Sequence, residues 1–226
     1  MTDVREFFKK WPKFYLFIAA VFGPMQFVGL SPKGFIRRYP SFGKILNLGS
    51  GPHILGKHVI NVDMRAYPGV SIIADIASVP LPDGSASRIV SNTVLEHVKD
   101  PIAAVGEMHR LLERGGIAYV TVPFMYPFHS SPSDYYRWTR EGLAELFQDF
   151  EIVEIGVRAG PFSALDAYLC HLTGTVFSFG SVWLNSLITN LAMFIFFPIK
   201  FLDLIFNYWS NSHMLAAIFY CVARKK

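Results

Sequence analysis

The residues best placed for chemistry fall at the ends of short apolar runs. Ile45-Leu-Asn-Leu48 runs into Gly49-Ser50-Gly51-Pro52. Glycines at such a point let the backbone turn tightly and approach a ligand without a Cβ clash. The next run ends on Asp63-Met64, where a carboxylate can accept hydrogen bonds from paired hydroxyls. A third ends on Asp75-Ile76, ahead of the turn Pro80-Leu-Pro-Asp-Gly84, and a fourth on Asn92-Thr93, ahead of Val94-Leu-Glu-His-Val98. Each alone reads equally well as a turn or a solvated strand end. Four of them at successive strand ends, on one edge of one sheet, read together as a ligand site.

A fifth run is followed by Pro123-Phe-Met-Tyr-Pro-Phe-His-Ser-Ser-Pro-Ser-Asp-Tyr-Tyr-Arg-Trp-Thr139. His129, Asp134, Tyr135, Tyr136 and Arg137 put a base, an acid, two phenols and a cation in one segment. Two readings stay open: a structural loop in which Asp134 pairs with Arg137, or a lid that binds a reactant. His97, beside Glu96, reads either as part of the same site or as a cap on the fourth strand's loop. No Cys/His cluster has metal-ligand spacing, so no zinc site is expected. Cys170 and Cys221 are too few and too far apart for a disulfide framework, which points to a reducing compartment.

The elements that must position these residues alternate between strand and helix patterns from Lys44 onward, as in a parallel α/β sheet. The expected strands are Ile45–Leu48, Val59–Val62, Ser71–Ala74, Arg88–Ser91, Ile117–Val122, Ile152–Val157 and Met214–Ala223. Asp100 and Pro101 open a helix whose apolar residues Ile102, Val105, Met108, Leu111 and Leu112 recur at helical spacing, with Gly115-Gly116 as its stop. A second helix starts at Thr139 and carries Leu143, Leu146 and Phe147 on one face.

Taken together these blocks resemble a class I S-adenosylmethionine-dependent methyltransferase of the type-11 branch. The resemblance covers about Ile45 to Phe150. It rests on Leu48-Gly-Ser-Gly51, Val62-Asp63, Ala74-Asp75-Ile76, Leu81-Pro-Asp-Gly-Ser85, Val94-Leu-Glu-His-Val98 and Arg110-Leu-Leu-Glu-Arg-Gly-Gly116. It implies a Rossmann-like, seven-stranded, mostly parallel sheet with flanking helices, and S-adenosylmethionine as cofactor. By the same resemblance, Gly49, Ser50 and Gly51, with Asn47, would border the methionine part of the cofactor. Asp63 would bind the ribose with Met64 beside it, Asp75 and Ile76 would hold the adenine, and Asn92 and Thr93 would line the floor beneath the sulfonium. His97, Asp134, Tyr135, Tyr136 and Arg137 become candidates for acceptor binding. His129 becomes the candidate general base for a hydroxyl acceptor, since an unperturbed imidazole titrates at about 6.5.

The sequence departs from the family pattern in three places. Asn47 stands where an acid is usual, His53 replaces a third glycine, and seven residues between Gly51 and Val59 leave no room for the usual first helix.

The 226 residues are 52% hydrophobic and 17% charged, which excludes a disordered chain. The net charge of +4 is unevenly spread. Residues 1–44 hold eight Lys/Arg against Asp3 and Glu6, and residues 45–198 hold nine against fourteen acids. The end carries Lys200, Arg224, Lys225 and Lys226 against Asp203. Basic residues interleaved with Phe, Trp and Leu suit an anionic membrane surface better than nucleic acid. Phe14–Leu30 is uncharged but broken by Gly23-Pro24, so an interfacial helix is expected there. No Asp, Glu, Lys or Arg occurs in the thirty-three residues between Asp166 and Lys200, and Gly174, Gly180 and Pro198 argue against one straight helix.

The organisation expected is therefore a basic, apolar helical segment over 1–43 and a methyltransferase domain over 44–226, with an apolar helical insertion at 161–210. The expected enzyme sits on the cytoplasmic face of a membrane, with a lipid, lipid-linked glycan or apolar small molecule as methyl acceptor and O-methylation as the reaction. No nucleic-acid partner is expected. Two rivals keep the fold: an inactive membrane-bound scaffold, and a soluble methyltransferase whose apolar helices cap the site.

Overall fold

The structure, a computed structural model, describes residues 21–129 and 132–226. The basic stretch from Arg5 to Lys13, and most of the interfacial helix expected from Phe14, lie outside the described residues.

The strands are β1 (Ile45–Leu48), β2 (Val59–Asp63), β3 (Ile72–Ile73), β4 (Ala86–Asn92), β5 (Leu112–Pro123), β6 (Phe150–Ala159) and β7 (Ile218–Lys225). They form one sheet in the order β3-β2-β1-β4-β5-β7-β6. β1 pairs parallel with β2 and β4, and β5 pairs antiparallel with β7, Ile117 facing Arg224 and Pro123 facing Ile218. All four residues of β1 are buried, as expected of a parallel strand covered on both faces. The order reverses between β1 and β4, and the crevice beyond the carboxyl ends of such strands is where open α/β sheets bind ligands.

The helices are α1 (Pro32–Arg38), α2 (Pro101–Leu111), α3 (Arg140–Leu146), α4 (Pro161–Phe177), α5 (Val182–Phe196) and the single turn α6 (Asp203–Phe206). Asp100 caps α2 by accepting from Ala103 N, and Thr139 caps α3 by accepting from Gly142 N. Both match the sequence expectation. The stop of α2 does not. It ends at Leu111, and Gly115-Gly116 lies inside β5, with Gly115 at φ +77° where β5 shifts register against β4. β7 begins at Ile218 rather than Met214, because Ser212–Leu215 is a 3-10 turn.

Two compact units partition the chain. The first holds the sheet and comprises 29–124, 128–158 and 218–226. Within it α1 lays Phe35, fully buried, on Tyr119, with ring centroids 5.3 Å apart, and the Tyr119 hydroxyl donates to Leu30 O at 2.6 Å. Burial holds that phenol protonated far above the ordinary tyrosine range. The segment from Gly29 is thus part of the sheet body.

The second unit comprises residues up to 28, 125–127 and 159–217. α4 and α5 cross so closely that a Cβ on Gly174 would stand 2.0 Å from Thr189 Oγ1. Gly174 is therefore a contact residue within α4 and not the break expected from sequence. The break is at Phe179-Gly180, both at positive φ. The pattern of burial is inside out. α4 buries Ser163, Ala164, Asp166, Ala167, Cys170 and Gly174, and α5 buries Thr189 and Ala192. Leu165, Leu172, Val176, Phe177, Val182, Trp183, Leu191 and Ile195 are exposed. No single described helix is long and apolar enough to cross a membrane; α5 and Ile199–Phe206 would suffice together but are bent by 47°.

Asp203 fastens this unit. Fully buried, it accepts from Phe162 N at 2.9 Å, Ser163 N at 2.8 Å and Ser163 Oγ at 2.6 Å, and so caps α4 from forty residues away. Gly160 is required beside it, since a Cβ there would sit 2.5 Å from Asp203 Oδ1. Replacing a capping acid by alanine costs about 1–2 kcal/mol. Asp203→Ala is expected to show that loss in denaturant unfolding, with faster amide exchange at Phe162 and Ser163.

Candidate functional site

The turn after β1 is built from glycine conformations. Gly49 and Gly51 lie at φ +68° and +53°, where a side chain is strained. Gly49 N and Ser50 N both donate to Val62 O, at 2.9 and 3.1 Å, folding the turn over the end of β2. A Cβ on Gly49 would meet Val94 Cγ1 at 2.4 Å, whereas one on Gly51 would meet nothing within 4 Å. Gly49 is thus required by packing as well as by φ, and Gly51 faces open space.

Asp63 ends β2 with its carboxylate turned back on this loop. Oδ2 accepts from Gly51 N at 2.8 Å and Oδ1 from Arg65 N at 2.9 Å. A carboxylate offers about four lone-pair sites, so each oxygen keeps acceptor capacity for a ribose hydroxyl. Met64 beside it is exposed. After β3, Asp75 Oδ1 accepts from Ala77 N at 2.9 Å, and Ile76 is buried. At the end of β4, Asn92 Oδ1 accepts from Thr121 Oγ1 at 3.1 Å. Thr93 stands at φ +52° and its N–H donates to Thr121 O and Oγ1. A non-glycine residue held at positive φ at a strand end is a mark of a functional position.

Asn47 commits its amide nitrogen within the protein. It is buried, and its Nδ2 donates to Asn61 Oδ1 at 3.0 Å and to His53 O at 3.2 Å, while Asn61 Nδ2 donates to Gly69 O. An acid at 47 would have no donor for either acceptor. The departure at 47 therefore serves the β1–β2 contact and the His53 loop, in a chain whose residues between Gly51 and Val59 form no helix.

The loop after β5 folds back on the 3-10 turn Leu95–His97. Tyr135 N donates to Glu96 O at 2.7 Å, His97 Nδ1 meets Ser133 O at 2.5 Å, and Trp138 N donates to Pro123 O. Arg137 grips Asp134 with two nitrogens, at 2.5 and 2.7 Å, and His129 N donates to Asp134 Oδ2 at 2.8 Å. His97 and His129 meet edge to face, 5.1 Å between centroids. The structure thus brings His97, His129, Asp134 and Arg137 together, and adds Glu96, whose Oε1 lies 3.9 Å from His97 Nε2 and 3.7 Å from His129 Nε2. Tyr135 and Tyr136 sit at the exposed edge, Tyr136 donating to Lys99 O.

Burial raises the Asp134 carboxyl, but the Arg137 guanidinium and the His129 N–H outweigh it and hold the group down at about 2. A carboxylate with a depressed folded pKa contributes stability above its unfolded pKa, and that contribution is lost as pH falls through the folded value. The loop's ordering is therefore expected to persist down to its ordinary value of 3.8 and to fade towards pH 2. Near-ultraviolet circular dichroism of Trp138 should follow this, and Asp134→Asn should remove the step.

Comparison with known proteins places these features. Residues 55–120 match the family model of a methyltransferase domain. Over 89 residues the chain is 40% identical to a probable S-adenosylmethionine-dependent methyltransferase of Mycolicibacterium smegmatis. That match covers 38% of this chain and 35% of the relative, so it spans about a third of the curated protein. A solved S-adenosylmethionine-dependent methyltransferase of Thermotoga maritima, described as a possible histamine N-methyltransferase, superposes with a TM-score of 0.56 at 16% identity over 98% of each chain. The geranyl diphosphate C-methyltransferase of Streptomyces coelicolor, solved with S-adenosylhomocysteine, does so at 0.52 and 11% identity, over 86% of this chain and 77% of that one. At these identities the likeness is one of fold.

Proposed function

We propose, for a chain that belongs to the class I S-adenosylmethionine-dependent methyltransferases on their type-11-like branch, that it methylates a hydroxyl oxygen of a lipid, lipid-linked glycan or apolar small molecule at the cytoplasmic face of a membrane. The cofactor supplies a methyl group on a sulfonium, already a good leaving group, so the protein's task is chiefly alignment, which can be worth roughly 7–11 kcal/mol.

In this reading Asp63 holds the ribose hydroxyls. Gly49, Ser50 and Gly51 let the methionine portion approach the backbone, Asp75, Ile76 and Met64 border the adenine, and Asn92 with Thr93 forms the floor. Asp134 and Arg137 hold the lid over the acceptor, with Tyr135 and Tyr136 at its mouth. His129 takes the acceptor's proton, a contribution of about 10²–10⁴-fold.

The observation that carries the membrane part is the inside-out helix pair. A helix packed in water buries its large apolar residues. α4 and α5 bury small and polar ones and turn Leu, Val, Phe and Trp outward, the arrangement helices adopt against lipid. The 47° bend after α5 favours a hairpin lying in one leaflet over a span. One observation favours a second reading, the inactive scaffold: Asn47, where an acid is usual, adds no charge for the cofactor's ammonium.

The test is flotation of the full chain with vesicles containing anionic lipid, followed by transfer of labelled methyl groups from S-adenosylmethionine into a membrane lipid extract. Flotation, with base-stable label in lipid that His129→Ala reduces at least 100-fold, is expected. A detergent-free soluble monomer that ignores vesicles would refute the membrane location, and cofactor binding without label in any lipid would refute the acceptor class.

A further inference from the structure

We infer that Glu96, His97 and His129 form a binding site for a first-row divalent metal ion with the preferences of Zn²⁺. Their ligand atoms, one from each residue, lie within 4.8 Å of one another. Glu96 is fully buried, and among the described residues neither carboxylate oxygen has a hydrogen-bond partner. Buried carboxylates are stabilised by donors or by metal ions. Among the described residues no donor is within hydrogen-bond distance, and His129 Nε2 and His97 Nε2 lie 3.7 and 3.9 Å from Oε1.

The hydrogen bonding decides what those nitrogens present. His97 Nδ1 lies 2.5 Å from Ser133 O. A carbonyl only accepts, so Nδ1 carries the hydrogen, and Nε2 of the neutral ring is a lone pair facing a carboxylate. Two acceptors facing each other need a cation between them. At 3.9 Å the pair is too far apart to share a proton. Ligands bound at 2.0–2.1 Å around a tetrahedral ion stand about 3.3 Å apart, so modest closure of the three side chains suffices. His129 Nδ1 is 3.4 Å from Asp134 Oδ2 and 3.4 Å from Arg137 Nη2. Arginine can only donate, so in the ion-free structure His129 Nδ1 accepts from Arg137; binding an ion through Nε2 requires the other tautomer, with the Nδ1–H handed to Asp134 Oδ2. A carboxylate or carbonyl behind each imidazole is the outer arrangement that metal-binding histidines have.

Two imidazoles and one carboxylate suit Zn²⁺ and its first-row neighbours, whereas Mg²⁺ and Ca²⁺ prefer oxygen. Three protein ligands leave one position open, as in catalytic sites. On the function proposed above, that position would receive the acceptor's hydroxyl oxygen, whose proton, made more acidic by the ion, would leave to water while His129 Nε2 holds the ion; binding of the ion itself does not depend on that function. Separation hid the site in the sequence, since His129 lies thirty-two residues beyond His97.

The test is titration of the chelator-treated full chain with Co²⁺, then displacement by Zn²⁺. One equivalent is expected, with the visible d–d bands of a four- or five-coordinate nitrogen–oxygen site and a higher melting temperature. Glu96→Gln and His129→Ala should each weaken binding at least 100-fold, and Asp134→Asn about 10-fold. His213→Ala, at a half-buried histidine elsewhere whose Nδ1 meets Ser210 O, should leave it unchanged. No saturable band from a chain that melts cooperatively would overturn the site, as would equal binding by Glu96→Gln and His129→Ala. S-adenosylhomocysteine binding measured on the same samples separates the two proposals: cofactor binding without metal sinks only the ion, and metal without cofactor sinks only the methyltransferase.

Discussion

Asp63→Ala is expected to weaken binding of S-adenosylhomocysteine at least 100-fold. Two charge-assisted hydrogen bonds to a ribose diol contribute about 3 kcal/mol together, and each 1.4 kcal/mol is a factor of ten. Because Asp63 also accepts from Gly51 N and Arg65 N, the alanine variant loosens the glycine turn as well. Asp63→Asn separates the two effects. Its single amide oxygen can still receive Gly51 N but can no longer accept from both ribose hydroxyls. The asparagine variant should therefore melt close to the parent and still lose at least 10-fold in affinity by calorimetry. Full affinity in both variants would mean that the carboxylate serves the loop alone.

Arg110→Ala should strongly destabilise the sheet body. The guanidinium donates to both oxygens of Glu107 at 2.7 Å, to Asp83 at 2.6 Å, and to the carbonyls of Leu81 and Val79. It thereby ties the Pro80–Gly84 turn to α2. Glu107 is buried and also accepts from Val79 N. Its hydrogen bond from Arg110 is the main reason its carboxyl is held below the ordinary range. Removing one partner of a buried pair costs about 3–5 kcal/mol, and partial exposure of Arg110 places the loss near 3. That corresponds to a melting temperature lower by about 10 °C in a chain of this size. Arg110→Lys should recover less than half, since an ammonium is a single point charge without the planar fork. The depressed Glu107 carboxyl sets the sign with pH: the difference from the parent is full above the ordinary carboxylate range and shrinks as acid protonates Glu107. Thermal unfolding at neutral and acidic pH checks both.

The strand ends were legible because apolar runs and glycine turns are local. β1 falls at Ile45–Leu48 as expected, and Asp100 and Thr139 cap the helices assigned to them. β3 is shorter than expected, Ile72–Ile73, paired at the sheet edge with β2 alone. The Gly115-Gly116 pair misled because a glycine at positive φ serves a shifted strand register as well as a helix stop. In α5 the helical pattern from Trp183 was legible but its orientation was not. Helical periodicity identifies an apolar face but not which face is buried, and here Thr189 and Ala192 go inward while Leu191 and Ile195 go outward. Glu96 was given no role of its own because a carboxylate next to a histidine is commonplace; only the fold returns His129 to within 3.7 Å of its Oε1 and, among the described residues, leaves its oxygens without hydrogen-bond partners.

The central claim is that the turn from Gly49 to Gly51, with Asp63, holds S-adenosylmethionine. Titration calorimetry of the full chain with S-adenosylmethionine and S-adenosylhomocysteine, with and without detergent, tests it most directly. Saturable one-to-one binding in the micromolar range for both is predicted. A cooperatively folded sample that releases no binding heat with either, in either condition, would contradict the account and leave a methyltransferase fold without its cofactor.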